Sequence, residues 1–162
     1  MTEAERRKHR VCFTGHRPEK LQRGEKEIKR DLEKEIRRAA ADGLNVFISG
    51  MARGSDMWAA QIILKLRDEG WDVKLVCACP YEGFEKGWGE VWKKRYRDTL
   101  AKADHVKYVC RGYSRFCFQQ RNKWMVNHAS KVIAVFNGEE GGTKNTIRYA
   151  VETGVPVVHI EG

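Results

Sequence analysis

The chain has no long apolar run. Its apolar stretches are far shorter than the roughly 20 residues that a membrane-spanning helix needs. The N-terminus is charged, with Glu3, Arg6 and Lys8 among its residues, and leads into no apolar signal-peptide core. We therefore expect a cytoplasmic protein with no membrane partner. Its 162 residues suffice for one domain, 1–162, in which residues 1–9 form a charged, flexible start.

The number and positions of the cysteines argue against two kinds of site. The chain has five cysteines, an odd number, and Cys12, Cys77 and Cys79 lie in or beside strand-like runs. Buried reduced thiols fit this pattern better than a disulfide framework does. Cys77-Ala78-Cys79 lacks the spacing of a zinc pair. We therefore expect no metal site.

Neither G-x-G-x-x-G nor G-x-x-x-x-G-K-[ST] occurs, so two common nucleotide-binding fingerprints are absent. Short apolar runs instead alternate with helical patterns. The runs predict strands over 11–14, 45–49, 73–77, 105–109, 132–136 and 155–160, and helices over 25–41, 56–69, 88–103, 118–129 and 145–152. Apolar strands separated by helices indicate a single doubly wound α/β domain. Its sheet of about six strands should be mostly parallel, with helices on both faces.

In such a sheet, ligands bind beyond the carboxyl ends of the strands, near the switch in strand order. The second predicted strand ends in Ser49-Gly50-Met51-Ala52-Arg53-Gly54-Ser55-Asp56. Glycines allow a ligand to approach the backbone, and the new helix presents free N–H groups and a positive dipole end to an anion. Ser55 or Asp56 can cap that helix. An ordinary tight strand-to-helix connection would show the same composition.

Three further segments are expected at this edge. The first strand runs into Thr14-Gly15-His16-Arg17-Pro18, where a guanidinium could hold a phosphate bidentately. The fifth runs into a flexible loop ending in Gly141-Gly142-Thr143, before a helix that begins near residue 145. Gln120-Arg121-Asn122 lies at the start of the helix predicted over 118–129, which precedes the fifth strand. Each motif alone is more often structural than functional, but four at one edge of one sheet indicate a ligand site.

These segments together resemble the SLOG superfamily, a Rossmann-like group that includes the DNA-processing protein DprA and the LOG phosphoribohydrolases, and most closely its YpsA branch. The resemblance also rests on Pro80, Trp88, Tyr96, Met125, Thr146 and Ala150. It implies a Rossmann-like fold and a pocket for a nucleotide-type ligand such as ADP-ribose, an NAD-derived compound or a nucleoside monophosphate. Relatives often form dimers, so it also implies a homodimer, although no sequence feature indicates an interface.

The candidate ligand-binding residues that follow from these segments are Thr14, Gly15, His16, Arg17, Ser49, Gly50, Arg53, Gly54, Ser55, Asp56, Arg121, Asn122, Gly141, Gly142 and Thr143.

One departure from the LOG pattern concerns catalysis. LOG hydrolases carry a glutamate three residues after their glycine-threonine pair, and this chain has Thr146 there. A carboxylate stabilises the positive charge that develops on the sugar during N-glycosidic cleavage, and a neutral hydroxyl does not. We therefore expect a protein that senses or sequesters its ligand without cleaving it. The alternative is a LOG-like hydrolase of nucleoside monophosphates, with Arg121 and either Glu139 or Glu140 in catalysis.

A second alternative comes from charge. Residues 86–131 contain twelve lysines and arginines against three acidic residues, an excess that equals the net charge of +9 of the whole chain. Aromatic residues are interleaved with these cations, as in grooves that bind single-stranded nucleic acid, which favours DprA-like DNA binding. Trp88, Trp92 and Tyr96 recur at four-residue spacing, however, as on a buried helix stripe. A third interpretation stacks Tyr81 or Trp88 on the ligand base. We expect only weak binding of single-stranded DNA.

Overall fold

A computed structural model describes residues 1–162. It contains one sheet of six parallel strands, in the order β4-β3-β2-β1-β5-β6. The strands are β1 (Arg10–Gly15), β2 (Val46–Ser49), β3 (Lys74–Cys79), β4 (His105–Tyr108), β5 (Lys131–Phe136) and β6 (Val157–Glu161). The helices are α1 (Glu3–Arg7), α2 (Glu25–Ala41), α3 (Ser55–Asp68), α4 (Glu90–Lys102), α5 (Cys117–Asn127) and α6 (Gly142–Glu152), with a short 3-10 helix at Pro18–Lys20. The predicted doubly wound, Rossmann-like fold is confirmed.

The helices cover both faces of the sheet. Helices α2, α3 and α4 pack on one face, and α5 and α6 pack on the other. Side chains of each central strand alternate between the two cores. Val11 and Phe13 of β1 join the core under α2 and α3, whereas Cys12 between them joins the core under α5 and α6. This two-sided burial explains why the strands are apolar without alternation.

The helix sequences match their positions. Helix α2 buries Ile28, Leu32 and Ile36 at four-residue spacing and exposes mixed charges between them. Helix α3 passes under α2 and α4 and buries most of its residues, among them Trp58. No helix has the combination of length and apolar character that a bilayer crossing requires.

The charged N-terminal segment differs from the flexible start that the sequence predicts. It forms the short helix α1, which begins with a capping box between Thr2 and Glu5. The guanidinium of Arg7 then donates to two carbonyl oxygens near the end of α5, those of Ala129 at 2.9 Å and Val126 at 3.2 Å. Helix capping and these long-range hydrogen bonds order the segment.

The switch in strand order lies between β1 and β5. From β1 the chain adds β2, β3 and β4 outward in one direction, and then crosses back to place β5 and β6 on the other side of β1. The loops after β1 and β5 therefore diverge and leave a crevice at their carboxyl ends. Helix α6 begins at Gly142 rather than near residue 145, so Gly142 and Thr143 belong to its first turn.

Candidate functional site

A cleft with a volume of about 390 Å³ opens at this switch point. Its walls come from the loops after β1, β2, β3 and β5 and from the first turns of α5 and α6. The lining residues are Thr14, Gly15, His16, Arg17, Lys20, Ala52, Arg53, Asp56, Phe84, Trp88, Phe118, Arg121, Asn122, Gly141, Gly142 and Thr143. A larger depression of about 690 Å³ lies between α2 and α3. Its cations Lys29, Arg37 and Lys65 are already paired with glutamates, so we regard that depression as solvated helix surface.

The cleft brings together most of the residues that the sequence marks as ligand-binding. The other four, Ser49, Gly50, Gly54 and Ser55, lie behind its wall. Ser49 is buried, and its hydroxyl donates to the Asp56 carbonyl at 2.8 Å and accepts from the Met51 N–H at 3.2 Å. Met51 has a φ of 61°, an uncommon conformation for a residue with a side chain. The hydroxyl of Ser49 therefore stabilises a strained turn.

The turns after β1 and β2 pack directly against each other. A Cβ atom on Gly54, where φ is 92°, would lie 2.8 Å from the carbonyl oxygen of His16. A Cβ atom on Gly15 would lie 2.6 Å from Cβ of Ser55. Neither position has room for a side chain, so the glycines of both motifs are required for the two turns to meet.

His16 has a structural role in the first turn. Its ring is 5% exposed, stacks on Phe136 with centroids 5.5 Å apart, and accepts from the Asn137 N–H at its Nε2 atom at 3.3 Å. Burial lowers the pKa of His16 below its usual range. The neutral imidazole thus joins the β1 turn to the loop after β5.

Asp56 and Arg121 are the buried charges of the cleft. Arg121 is 4% exposed; its guanidinium donates to the Gly50 carbonyl and, from Nε, to Asn122 Oδ1 at 2.8 Å. Asp56 is 5% exposed and accepts from the Ala52 N–H at 3.4 Å through Oδ2, whereas Oδ1 has no partner. Burial raises the pKa of Asp56 to about 6, against the opposing field of Arg121. Burial also lowers the pKa of Arg121, but a guanidinium still remains charged.

The opposite wall is positive. Helix α6 begins here without a side-chain cap and without an acidic residue in its first turn, so its first N–H groups face the cleft unpaired. The ammonium of Lys20 lies near this helix start, 3.9 Å from where a Cβ of Gly141 would be. Arg17 lines the cleft as well. A cation beside the positive end of a helix dipole is unfavourable unless an anion lies between them.

Aromatic side chains form the third wall. Phe84, Trp88 and Phe118 line the cleft, and Phe84 contacts Trp88 edge-on at 4.9 Å between ring centroids. The sequence predicts that Trp88, Trp92 and Tyr96 form one helical stripe, but Trp88 does not belong to the helix. Because α4 begins at Glu90, Trp88 lies in the preceding loop and turns towards the cleft, whereas Tyr96 is buried and Trp92 packs on Trp58.

Sequence reasoning missed Lys20, Ala52, Phe84 and Phe118 as cleft residues. Ala52 lies inside the glycine-rich motif of the β2 turn, and Lys20 follows the β1 turn by two residues, so proximity to the motifs was the available signal. Phe84 lies in the irregular segment after β3, where no periodicity indicates which side chains turn inward.

The carboxylates considered for hydrolysis lie elsewhere. Glu139 and Glu140 are exposed on the loop after β5 and do not line the cleft. Glu140 is paired with Lys144 at 2.6 Å, and this contact lowers its pKa. Thr146 is buried, and its hydroxyl donates to the Gly142 carbonyl at 2.7 Å. Asp56 is therefore the only carboxylate in the cleft lining.

The cations of 86–131 do not form one groove. Lys93 and Lys94 pair with acidic residues of their own helix, Arg97 pairs with Glu85, and Arg121 is buried. The charge excess of the segment is thus spread over several surfaces.

Comparison with known proteins identifies the family. The model of the YpsA family, described as "YspA SLOG family", matches residues 11–154. A UPF0398 protein of Bacillus pumilus is 30% identical over 161 residues, covering 93% of this chain and 86% of that protein. The SPbeta prophage-derived protein YoqJ of Bacillus subtilis is 30% identical over 119 residues, covering 66% of this chain and 70% of that protein.

Two solved structures share the fold. DNA processing protein A (DprA) of Streptococcus pneumoniae matches with a TM-score of 0.69 and 21% identity over 96% of this chain. Its counterpart from Helicobacter pylori, studied for its single-stranded DNA binding mode, matches with a TM-score of 0.67 and 16% identity over 99% of this chain. The chain spans 51% and 68% of these two proteins, respectively. The extent of the family match, together with the fold, shows that the chain belongs to the YpsA family of SLOG proteins.

Proposed function

We propose that the cleft binds a phosphorylated nucleotide and does not cleave it. The observation that carries this proposal is the pairing of a positive wall with a buried carboxylate oxygen that has no partner, on two sides of one cleft. A nucleotide presents the complementary groups, since its phosphate is an anion and its sugar hydroxyls are hydrogen-bond donors.

The phosphate would bind at the start of α6. The free N–H groups of the first turn and the ammonium of Lys20 lie at this part of the cleft, and Arg17 lines the same cleft. A phosphate there would accept charge-assisted hydrogen bonds and would relieve the repulsion between Lys20 and the helix dipole.

The sugar would bind beside Asp56. Its Oδ1 atom is buried without a hydrogen bond, which is costly for a carboxylate in the protein interior. A ribose hydroxyl donating to this oxygen would remove that penalty. The base would then lie along Phe84, Trp88 and Phe118, whose rings suit stacking.

The absence of cleavage follows from the placement of the carboxylates. Stabilising a positively charged sugar requires a carboxylate near the glycosidic bond. Asp56 is needed as a hydrogen-bond acceptor, and Glu139 and Glu140 lie outside the lining. Sensing or sequestering the nucleotide is therefore the role that the cleft supports best.

Calorimetry tests the proposal. AMP, ADP-ribose and NAD should bind, and adenosine, which lacks phosphate, should bind at least about tenfold more weakly than AMP, a difference that one or two charge-assisted hydrogen bonds supply. Lys20→Ala should weaken AMP binding, whereas Lys34→Ala, an exposed lysine on α2 outside the cleft, should not. Equal affinities for adenosine and AMP would refute the phosphate site.

Single-stranded DNA is a second candidate ligand. The segment between β4 and α5 exposes Tyr113 and Phe116, 71% and 53% exposed, with the guanidinium of Arg115 above the Phe116 ring at 4.7 Å. Exposed aromatic rings next to cations suit base stacking along a strand. The fold likeness to a DprA studied for this binding supports the candidate.

A further inference from the structure

A groove between α5 and α6 continues from the cleft. Phe118, Asn122 and Gly142 line both the cleft and the first part of this groove. The groove consists of two adjoining depressions with volumes of about 180 and 150 Å³, which share the side chains of Gln119, Lys123, Asn145 and Tyr149. We call this surface the α5–α6 groove. Its opening into the cleft lies at the first turn of α6, where the proposed phosphate would bind.

The α5–α6 groove is positive. Arg115, Lys123 and Arg148 line it, all three are exposed, and none takes part in an ion pair. The ammonium of Lys123 lies over the ring of Tyr149, 5.3 Å from its centroid. The nearby carboxylate of Glu140 is held by Lys144, with Arg148 contributing a weaker attraction, so Arg148 has no direct partner.

The remaining side chains suit a nucleoside. The amides of Gln119 and Asn145 each offer a hydrogen-bond donor and an acceptor, which match base edges and sugar hydroxyls. The rings of Phe118 and Tyr149 supply aromatic surface for a base. Phosphate, base and sugar thus each find a complementary group along this groove.

We propose that the ligand is a dinucleotide. One nucleoside lies in the cleft, the linking phosphate lies at the first turn of α6, and the second nucleoside lies in the α5–α6 groove. This inference rests on the proposed function, because it places the linking phosphate at the same site. It adds the ligand class and assigns a second nucleoside subsite to Gln119, Lys123, Asn145, Arg148 and Tyr149.

The far end of the groove limits the ligand to two nucleosides. Glu152 lines the second depression beyond Arg148, and no cation follows it there. Its carboxylate would repel the next phosphate of a longer strand. The groove therefore fits a short ligand better than a polymer.

Titration calorimetry tests this with three probes: AMP, the linear dinucleotide pApA, and diadenosine diphosphate, which is linked through pyrophosphate. We expect at least one dinucleotide to bind about tenfold more tightly than AMP, because Lys123, Arg148 and Tyr149 lie outside the cleft and would contact only the second nucleotide. The comparison between the two dinucleotides identifies the linkage. The double variant Lys123→Glu/Arg148→Glu should lose this advantage and keep its affinity for AMP.

A matched control carries the same change of charge on the opposite face of the sheet. Lys26→Glu/Lys34→Glu reverses two exposed lysines of α2 that form no ion pair, and it should bind all three probes like the unmodified protein. Circular dichroism and thermal melting of both double variants show whether they are folded.

The outcomes separate the two hypotheses. Failure of AMP to bind the unmodified protein would refute the proposed function. Equal binding of AMP and both dinucleotides would overturn only the dinucleotide inference. The same holds if the α2 control variant loses as much dinucleotide affinity as Lys123→Glu/Arg148→Glu does. An affinity that keeps rising from pApA to a ten-residue oligoadenylate would also overturn it, because the groove would then accept a polymer.

Discussion

Asp56 and Arg121 both reach the position that a side chain at Gly50 would occupy. A Cβ atom at Gly50 would lie 3.0 Å from Oδ2 of Asp56 and 3.0 Å from Cζ of Arg121. The absence of a side chain at Gly50 therefore leaves room for these two buried, opposite charges to lie close enough to attract each other. Arg121 also donates to the Gly50 carbonyl, so it supports the turn as well as facing the ligand.

This position leads us to expect that Arg121→Ala mainly destabilises the fold. Removing the guanidinium leaves the Gly50 carbonyl without its donor and Asp56 without its opposite charge, so the carboxyl must either stay charged or take up a proton; loss of one buried charged partner costs up to about 3–5 kcal/mol. Urea unfolding at pH 7 measures this. The double variant Arg121→Met/Asp56→Asn should recover part of the loss, since no unpaired charge remains. A fully stable Arg121→Ala with weak AMP binding would instead make Arg121 purely a ligand contact.

Asp56 should make stability depend on pH. Its pKa in the folded state is raised from 3.8 to about 6, so the folded state binds more protons than the unfolded state between these values. The contribution of Asp56 to the unfolding free energy is therefore largest below about pH 4, and it is lost as the pH rises through about 6. The unfolding free energy of the unmodified protein, minus that of Asp56→Asn, should fall by about 3 kcal/mol between pH 4 and 7. Denaturation series at matched pH values measure it; a flat difference would refute it.

Gly142→Asp should weaken phosphate binding. The new carboxylate would lie in the first turn of α6, where the phosphate is proposed to bind, while an acidic residue at this position favours the helix. We expect an AMP affinity at least about tenfold lower, as loss of a charge-assisted contact predicts, without loss of thermal stability. Gly24→Asp, at the N-cap of α2 and in open space, is the control for the added charge. Unchanged AMP binding by Gly142→Asp would exclude this helix start as the phosphate site.

The unmodified protein should release no base from nucleoside monophosphates. Thr146 replaces the glutamate of the LOG pattern, and Asp56 is the single carboxylate in the lining. Chromatography of AMP, ADP-ribose and NAD after incubation with the protein measures this. Turnover that survives Asp56→Asn but disappears in Glu139→Gln or Glu140→Gln would establish hydrolysis by a loop that closes over the ligand.

Single-stranded DNA should bind weakly. Five of the twelve cations of residues 86–131 are paired with acidic residues or buried, so fewer phosphates can be neutralised than the charge excess suggests. The value of log K should fall by roughly 0.7 per phosphate contact as log salt rises. Fluorescence anisotropy with labelled oligothymidylate at several salt concentrations measures the slope. Submicromolar affinity at physiological salt, reduced by Arg115→Glu, would place DNA ahead of a nucleotide.

The sequence was sufficient for the sheet because its signals there are local. Strands that are apolar on both faces and separated by periodic helices have few alternative arrangements, and β1, β2 and β5 lie within a residue or two of their predicted positions. The glycine motifs are local signals too, and they correctly indicated that the site lies at the carboxyl ends of the strands.

The sequence could not assign roles within the cleft. The sequence predicts Arg121 as a ligand-binding residue, and only the packing of α5 against β1 and β3 shows that its guanidinium is also buried against the β2 turn. Trp88 has the four-residue spacing of a helix, but it lies outside α4, because the chain from Gly83 to Gly89 forms turns. The orientation of these side chains towards the cleft depends on contacts between segments that are distant in the sequence. Local periodicity carries no information about such contacts.

The close contact between the turns after β1 and β2 also determines how the cleft can respond to a ligand. Since Gly15 and Gly54 leave no space between these turns, neither can move without separating from the other, and both are continuous with central strands. Binding at this side should therefore cost little conformational entropy, because the wall is already ordered before the ligand arrives. Any rearrangement that admits or releases the nucleotide should instead involve residues 138–140, the exposed part of the loop between β5 and α6 that lies beyond the hydrogen bonds of Asn137 to the β1 turn.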